Sequence, residues 1–331
     1  MPTTKTPEAL LQRLRRGRRF VITSHTSPDG DAVGASLGLA RLLRGLGKAA
    51  WVWFHDPVPP LFAGLPGADR VHVGAEVPSG FPGDFDAAIV LECPTLDRTG
   101  LEAPLGELPL LNIDHHLGNR LYGEVNWVDS AAPAVGEMVH RLAHELHAPF
   151  DRDSADLLYL ALASDTGGFR FSNTTISAFE AAAALVRAGA SPERVTTWLY
   201  ESQPVAALRL LGEMLPSLEL HDDGGVATVA LTREMFARAG AEPGDSEGLI
   251  DHPRSIAGVV ATALFKELPE GRWKVSMRSR GAVDVEQVAQ EFGGGGHRNA
   301  AGCALDGPLP EARERIVSAL AAARRTAPSH G

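Results

Sequence analysis

Hydrophobic and polar positions alternate along the chain in two registers. Residues 6–18 predict a helix, with Thr6 as a cap, Pro7 in the first turn and Leu10, Leu11 and Leu14 at helical spacing. A short apolar run at 20–22 predicts a strand, a Gly/Asp turn follows, and 32–46 has a helical pattern. Further apolar runs lie at 50–54, 87–91 and 108–113, and helical patterns lie at 134–147 and 154–163. Strands that alternate with helices predict an α/β unit with a mostly parallel sheet flanked by helices. In such sheets ligands bind beyond the carboxyl ends of the strands.

Residues 176–213 read as mainly helical, with breaks at 189–192 and at Pro204. From Pro216 the pattern changes. Runs at 226–231, 258–265 and 273–278 carry β-branched residues and predict strands, while 285–292 and 311–325 predict helices. The expected organisation is a metal-binding domain at 1–190, a helical connector at 191–216, a smaller α+β substrate-binding domain at 217–325, and a disordered tail at 326–331.

Composition narrows the function classes. The 331 residues are 44% hydrophobic, enough for two cores of ordinary size. Lys and Arg total 31 and Asp and Glu total 41, a net charge of −10. A chain this acidic is unsuited to coating long duplex DNA, which needs a basic footprint. A small phosphorylated substrate remains open if metal ions supply positive charge. Five arginines between 13 and 19 read as a solvated helix face rather than a nucleic-acid patch. The two cysteines, Cys93 and Cys303, form no zinc pattern and no disulfide scaffold. The first residues lack an apolar signal core, and no run reaches the roughly 18 apolar residues that span a bilayer. A soluble cytoplasmic protein without membrane contact is expected, and a homodimer is the ordinary assembly for an enzyme of this size.

Four segments of the first half place carboxylates or histidines just after an apolar run. They are His25-Thr26-Ser27-Pro28-Asp29-Gly30-Asp31 after 20–22, Glu92 after 88–91, Asp114-His115-His116 after 110–113, and Asp165-Thr166-Gly167 after 157–163. If all four runs end on one sheet edge, imidazole and carboxylate groups meet there. Mixed nitrogen and oxygen ligation suits Mn²⁺, Fe²⁺, Co²⁺ or Zn²⁺ better than Ca²⁺. There are enough donors for two ions, which together stabilise charge on a phosphoryl group. Taken singly, each segment has a bland reading: Asp-Gly-Asp as a turn, His-His as a packed pair, Asp-Thr-Gly as a cap. Their joint occurrence carries the metal reading.

These residues resemble the DHH phosphoesterase superfamily, whose name-giving motif is similar to Asp114-His115-His116. His25-x-x-x-Asp29-x-Asp31, Asn112-Ile113-Asp114-His115-His116-x-x-Asn119 and Asp165-Thr166-Gly167-Gly168-Phe169 resemble three of its motifs. Asn126-Trp127-Val128-Asp129 and Gly136-Glu137 fit the flanking pattern. Gly293-Gly294-Gly295-Gly296-His297 with Ala300-Ala301-Gly302 resembles the signature of the DHH-associated domain. So do Asp245-Ser246-Glu247-Gly248, Pro253-Arg254-Ser255-Ile256 and Ser276-Met277-Arg278-Ser279. The resemblance covers nearly the whole chain, and its two-domain length is similar to the nanoRNase/pAp-phosphatase subgroup. One motif departs: Glu92 stands where the family usually has a metal-bridging Asp, although Asp97 and Arg98 keep the pattern after it.

The resemblance implies two Mn²⁺ ions, with Mg²⁺, Co²⁺ or another divalent ion as substitutes. It implies one ion at His25, Asp29 and Glu92 and a second at Asp31, Glu92, His115 and Asp165. Asp114 would orient a histidine, and His116 would contact the scissile phosphate or assist the leaving oxygen. Water activated between the ions would attack phosphorus without a covalent enzyme intermediate. The run Gly294, Gly295, Gly296 and His297 is expected to form an anion-binding nest. Arg278 with Ser279 is expected to hold a second substrate phosphate, with Arg254 and Arg298 as weaker candidates. The implied activity is exonucleolytic hydrolysis of very short RNA and dephosphorylation of pAp to AMP, with short single-stranded DNA as a further substrate. The alternatives are a linear or cyclic dinucleotide phosphodiesterase, a RecJ-like single-strand DNA exonuclease, and a catalytically silent nucleotide-binding regulator, to which Glu92 points.

Overall fold

The computed structural model describes residues 4–281 and 283–326. By contact density the chain divides into Met1–Ser202 and Gln203–Gly331, a division that falls inside the stretch read as a connector.

The first unit runs α1 (Glu8–Arg16), β1 (Arg19–Thr23), α2 (Gly30–Gly45), β2 (Ala49–Phe54), β3 (His72–Val73), β4 (Ala87–Leu91), α3 (Glu102–Leu105), β5 (Leu110–Asp114), β6 (Val125–Val128), α4 (Val135–Glu145), α5 (Arg152–Asp165), α6 (Ile176–Arg187) and α7 (Pro192–Thr196). Its six strands pair in parallel in the order β3-β2-β1-β4-β5-β6. β4 is Ala-Ala-Ile-Val-Leu and is buried throughout, the run expected of a central strand covered on both faces. Alternation divides each strand between two cores: Phe20 and Ile22 pack with α2 and α5, whereas Val21 packs with Trp53, Ala88 and Leu101. The strand order reverses between β1 and β4, so their carboxyl ends flank a switch point where an α/β sheet opens to ligand.

Helices α2 and α5 meet at backbone distance. A Cβ on Gly34 would lie 2.6 Å from the Leu157 carbonyl oxygen, and one on Gly38 would lie 2.7 Å from Leu158. Glycine every fourth residue along α2 therefore lets α5 close against α2, which sets where the end of α5 falls.

The second unit runs α8 (Val205–Met214), β7 (Glu219–His221), β8 (Val226–Leu231), α9 (Arg233–Ala239), α10 (Asp251–Arg254), β9 (Ala261–Glu267), β10 (Arg272–Ser279), α11 (Val285–Glu291), β11 (Gly295–His297), β12 (Ala300–Asp306) and α12 (Leu309–Thr326). Its sheet, ordered β11-β12-β10-β9-β8-β7, is antiparallel except for the parallel pair β8 and β9. A separate core forms around Phe265, Val275, Met277 and Ile316.

Several expectations need correction. The run at 157–163 lies inside α5, so Asp165 comes from a helix end and not from a strand end. Pro7, not Thr6, occupies the cap position of α1, and it makes no side-chain cap bond. Residue 326 still belongs to α12, while the rest of the expected tail, 327–331, lies outside the described residues.

Candidate metal centre

Each ligand-type side chain is placed by backbone. Beyond β1, His25 Nδ1 bonds the Thr26 carbonyl oxygen at 2.8 Å, and its Nε2 lies 3.4 Å from Glu92 Oε2. Asp29 caps α2, with Oδ1 accepting the Asp31 and Ala32 N–H groups at 3.0 Å each. Asp-Gly-Asp is therefore a helix start and not a turn, with Asp29 as the cap and Gly30 and Asp31 inside α2. Asp31 is fully buried. Its Oδ2 and Oδ1 accept N–H bonds from Val135 (2.6 Å) and Gly136 (2.9 Å). The first turn of α4 therefore aims its positive dipole end at this carboxylate.

Glu92 directly follows β4. Its φ is +49°, a left-handed conformation that costs a non-glycine residue about 1–2 kcal/mol. Its N–H bonds the Ile113 carbonyl oxygen at 3.0 Å, which continues the parallel ladder while the chain turns and drives the side chain inward. The side chain is 2% exposed, and Oε2 is buried without a hydrogen bond.

At the end of β5, His115 Nδ1–H donates to the Ala132 carbonyl oxygen at 3.1 Å. This fixes the tautomer and leaves Nε2 as the ligating atom, 3.8 Å from Asp165 Oδ2. Asp114 accepts at Oδ1 from His116 Nδ1–H (2.8 Å) and from the His115 and His116 backbone N–H groups. Its Oδ2 accepts from Asn119 Nδ2 at 2.6 Å, and Asn119 is itself tied to Asn112 at 2.7 Å. Asp114 thus orients His116. His116 borders a cavity of about 150 Å³ that is also lined by Leu117, Val128 and Asp129. Asn173, which the sequence reading missed, bonds the Asp165 backbone and carboxylate and the Pro133 carbonyl oxygen. No spacing rule singles it out; only the folded loop after α5 brings it back.

The structure brings together His25, Asp29 and Glu92 in one group, and Asp31, Glu92 and His115 in another, each with ligand atoms within 4.8 Å of one another. Among the described residues these are the groups of three or more that suit a metal ion. Glu92 belongs to both. Burial, then the charges of Asp29 and Asp165, push the Glu92 carboxyl well above its ordinary value. Burial, then Glu92 and Asp165, do the same to Asp31. For His115 burial pulls the imidazole down, but the Asp165, Asp31 and Asp114 carboxylates outweigh it and raise it. Burial lowers His116, with Asp114 pulling the other way. Burial alone would raise Asp114, but its bonds from His116 and Asn119 hold it below the ordinary carboxylate value. Buried carboxylates that repel one another need a compensating positive charge, and the mixed imidazole and carboxylate donors fit divalent transition ions.

The second unit treats its motif differently. The Gly293 and Gly294 N–H groups bond Gln290 and Ala289 carbonyl oxygens at the end of α11, and Gly295 and Gly296 pair with β12. A Cβ on Gly294 would lie 2.1 Å from the Gly302 carbonyl oxygen, and one on Gly296 would lie 2.5 Å from that of Ala300. Of the expected nest, Gly295 and Gly296 lie in β11 and Gly294 directly precedes it, and close backbone approach requires glycine at 294 and 296. Ser279 is buried, and its hydroxyl donates to the Val283 carbonyl oxygen at 2.8 Å; it braces the turn after β10 instead of facing a ligand. Arg254 is nearly buried and bonds Asp251 Oδ1 at 3.0 Å. Arg278 is half-buried, with Nη1 on the Met277 carbonyl oxygen. Arg298 lies in the turn between β11 and β12, and its carbonyl oxygen accepts the Val285 N–H. His297 ends β11, and its side chain lies outside the described part.

A parallel sheet whose switch point gathers two overlapping imidazole and carboxylate groups defines a divalent-metal hydrolase. The family model for the DHH family, N-terminal domain, matches residues 19–162, and the DHHA1 domain model matches 223–325; the chain belongs to the DHH family of phosphoesterases. It is 34% identical over 301 residues to the bifunctional oligoribonuclease and PAP phosphatase NrnA of Thermus thermophilus, covering 90% of this chain and 88% of that one. It is 27% identical over 292 residues to the Bacillus subtilis protein of the same name, covering 86% and 89%. The structure of an exopolyphosphatase-related protein from Bacteroides fragilis superposes with a TM-score of 0.86 at 27% identity, covering 95% of this chain and 94% of that one.

Proposed function

We propose that this chain cleaves very short oligoribonucleotides exonucleolytically to mononucleotides and dephosphorylates pAp to AMP. The observation that carries the proposal is the place of Glu92 in both ligand groups, which would let one carboxylate serve two cations. In this reading His25, Asp29 and Glu92 hold one divalent ion, and Asp31, Glu92, His115 and Asp165 hold the other, with Mn²⁺ as the preferred metal. When bound, the ions supply Lewis acidity and neutralise phosphoryl charge.

The remaining work falls to side chains. Asp114 holds the proton on His116 Nδ1, and Asn119 holds Asp114. An arriving phosphate places a second anion beside the His116 ring and favours the imidazolium, whose Nε2–H then donates to the phosphate or the leaving oxygen. In the DHHA1 unit, Arg278 is the proposed contact for a phosphate of the bound nucleotide. Similarity over nearly the whole length of the NrnA relatives supports this substrate class. Both cysteines are free, which supports a cytoplasmic site of action, and no described helix is long and apolar enough to cross a membrane. The proposed assembly is a homodimer.

The test is product analysis of purified protein with Mn²⁺ on pAp, a ribo-dinucleotide, a ribo-pentamer and long single-stranded DNA, with metal-free controls. Metal-dependent release of AMP from pAp and of mononucleotides from the short RNAs is expected. Activity confined to long DNA would overturn the substrate class. Nucleotide binding without turnover would make the protein a silent regulator.

A further inference from the structure

The last turns of α4 carry a second pair of metal-ligating side chains outside the two groups described above. His140 and His144 stand four residues apart, so their rings share one helix face. Their Nε2 atoms lie 3.2 Å apart, with the ring planes at 87° and the centroids 4.7 Å apart. Phe150 lies against both rings, at 5.6 Å from His140 and 5.9 Å from His144. His140 is buried and His144 is exposed, so the pair is fixed on one side and open to solvent on the other.

We infer that His140 and His144 form a separate site for one borderline transition cation, of which Zn²⁺ is the type, chelated by both Nε2 atoms with water in the remaining positions. With Zn–N bonds of about 2.05 Å, tetrahedral ligation asks for nitrogens about 3.4 Å apart, within a few tenths of the distance in the structure. Burial first, then His144 and Arg141, lower the His140 imidazole to about 4, so at neutral pH it offers a lone pair. Arg141 beside it is engaged by Asp129 at 2.8 Å and Glu137 at 3.0 Å, which blunts its repulsion of a metal ion. Imidazole pairs select Zn²⁺, Cu²⁺ or Ni²⁺ over Mg²⁺ and Mn²⁺, so this site answers to ions other than the proposed catalytic metal. It closes the end of the helix whose first turn holds Asp31, and occupation stabilises the folded state by mass action.

The experiment is equilibrium dialysis of the full chain against Zn²⁺, alongside melting curves with and without Zn²⁺, for the wild type, His144→Ala and His140→Gln. Zinc taken up at the Glu92 groups is common to all three proteins and cancels. The expected result is that each variant binds one zinc ion per chain fewer than the wild type and loses part of the zinc-dependent rise in Tm. His144 is exposed, so His144→Ala keeps the test usable if His140→Gln folds poorly. Equal zinc stoichiometry in the wild type and His144→Ala would overturn the inference. So would a lower Tm in the variants that is the same with and without zinc, because that is the mark of a hydrogen-bonded pair alone.

Discussion

The switch point of the parallel sheet and the glycine-rich hairpin of the DHHA1 unit both carry motif residues, but they use them in opposite ways. At the switch point, backbone groups spend their hydrogen bonds on orienting side chains: α4 holds Asp31, Ala132 holds His115, and the turn after β5 holds Asp114. In the hairpin, backbone groups bond other backbone groups, and Gly294 and Gly296 let them approach. A motif of polar side chains buried by main chain is chemistry under construction. A motif of glycines packed against main chain is architecture, whatever ligand its neighbours bind.

The contrast can be broken at several points. Asp31→Asn should reduce turnover the most, by more than the roughly 100-fold attached to losing an orienting partner, because it removes a charge from a ligand group; turnover within tenfold of wild type would sink the metal assignment. His116→Ala should lower kcat about 10²–10⁴-fold while metal content is unchanged, and a fall in bound metal instead would make His116 a ligand. Gly294→Ala should destabilise the chain by about 1–3 kcal/mol through overpacking; an unchanged Tm with a raised KM would restore the nest reading.

Stability against pH gives a smaller test. The Asp31 and Glu92 carboxyls are raised above their ordinary values of 3.8 and 4.5. In cation-free protein their contribution to stability is complete below about pH 4 and is lost as pH rises through the raised values. Bound Mn²⁺ offsets that loss, so the Tm increment from Mn²⁺ should be larger at pH 8 than at pH 5; an increment that is flat with pH would contradict the burial of these charges. Glu92→Asp should have the smallest effect, with turnover within about tenfold of wild type, since Asp tolerates the left-handed backbone better than Glu does. A rise from no turnover to clear turnover would instead mean that Glu92 marks a lost activity.

The same two regions show what could be read from the chain alone. β4 was legible to the residue because five apolar positions stand between Asp86 and Glu92. β6 and β12 were not. Trp127 is flanked by polar Asn126 within only four strand residues, and the first five of the seven residues of β12 are Ala, Gly or Cys, which carry no strand preference. Asp165 was picked out as a ligand for the wrong structural reason: its apolar approach is a helix, and periodicity alone cannot separate a short apolar run in a strand from one in a buried helix. The networks through Asn173 and Ala132 depend on loops closing in three dimensions and leave no trace in local spacing.

Gly30 sits between Asp29 and Asp31, and a methyl group on it would lie 2.3 Å from the Ser164 hydroxyl, next to Asp165. Where α2 and α5 touch, the missing side chain acts as a gauge block between carboxylates contributed by two helices. Anyone wishing to retune the enzyme for cations of another radius should alter this contact, since one added carbon there would spread the ligand frame without replacing any ligand residue.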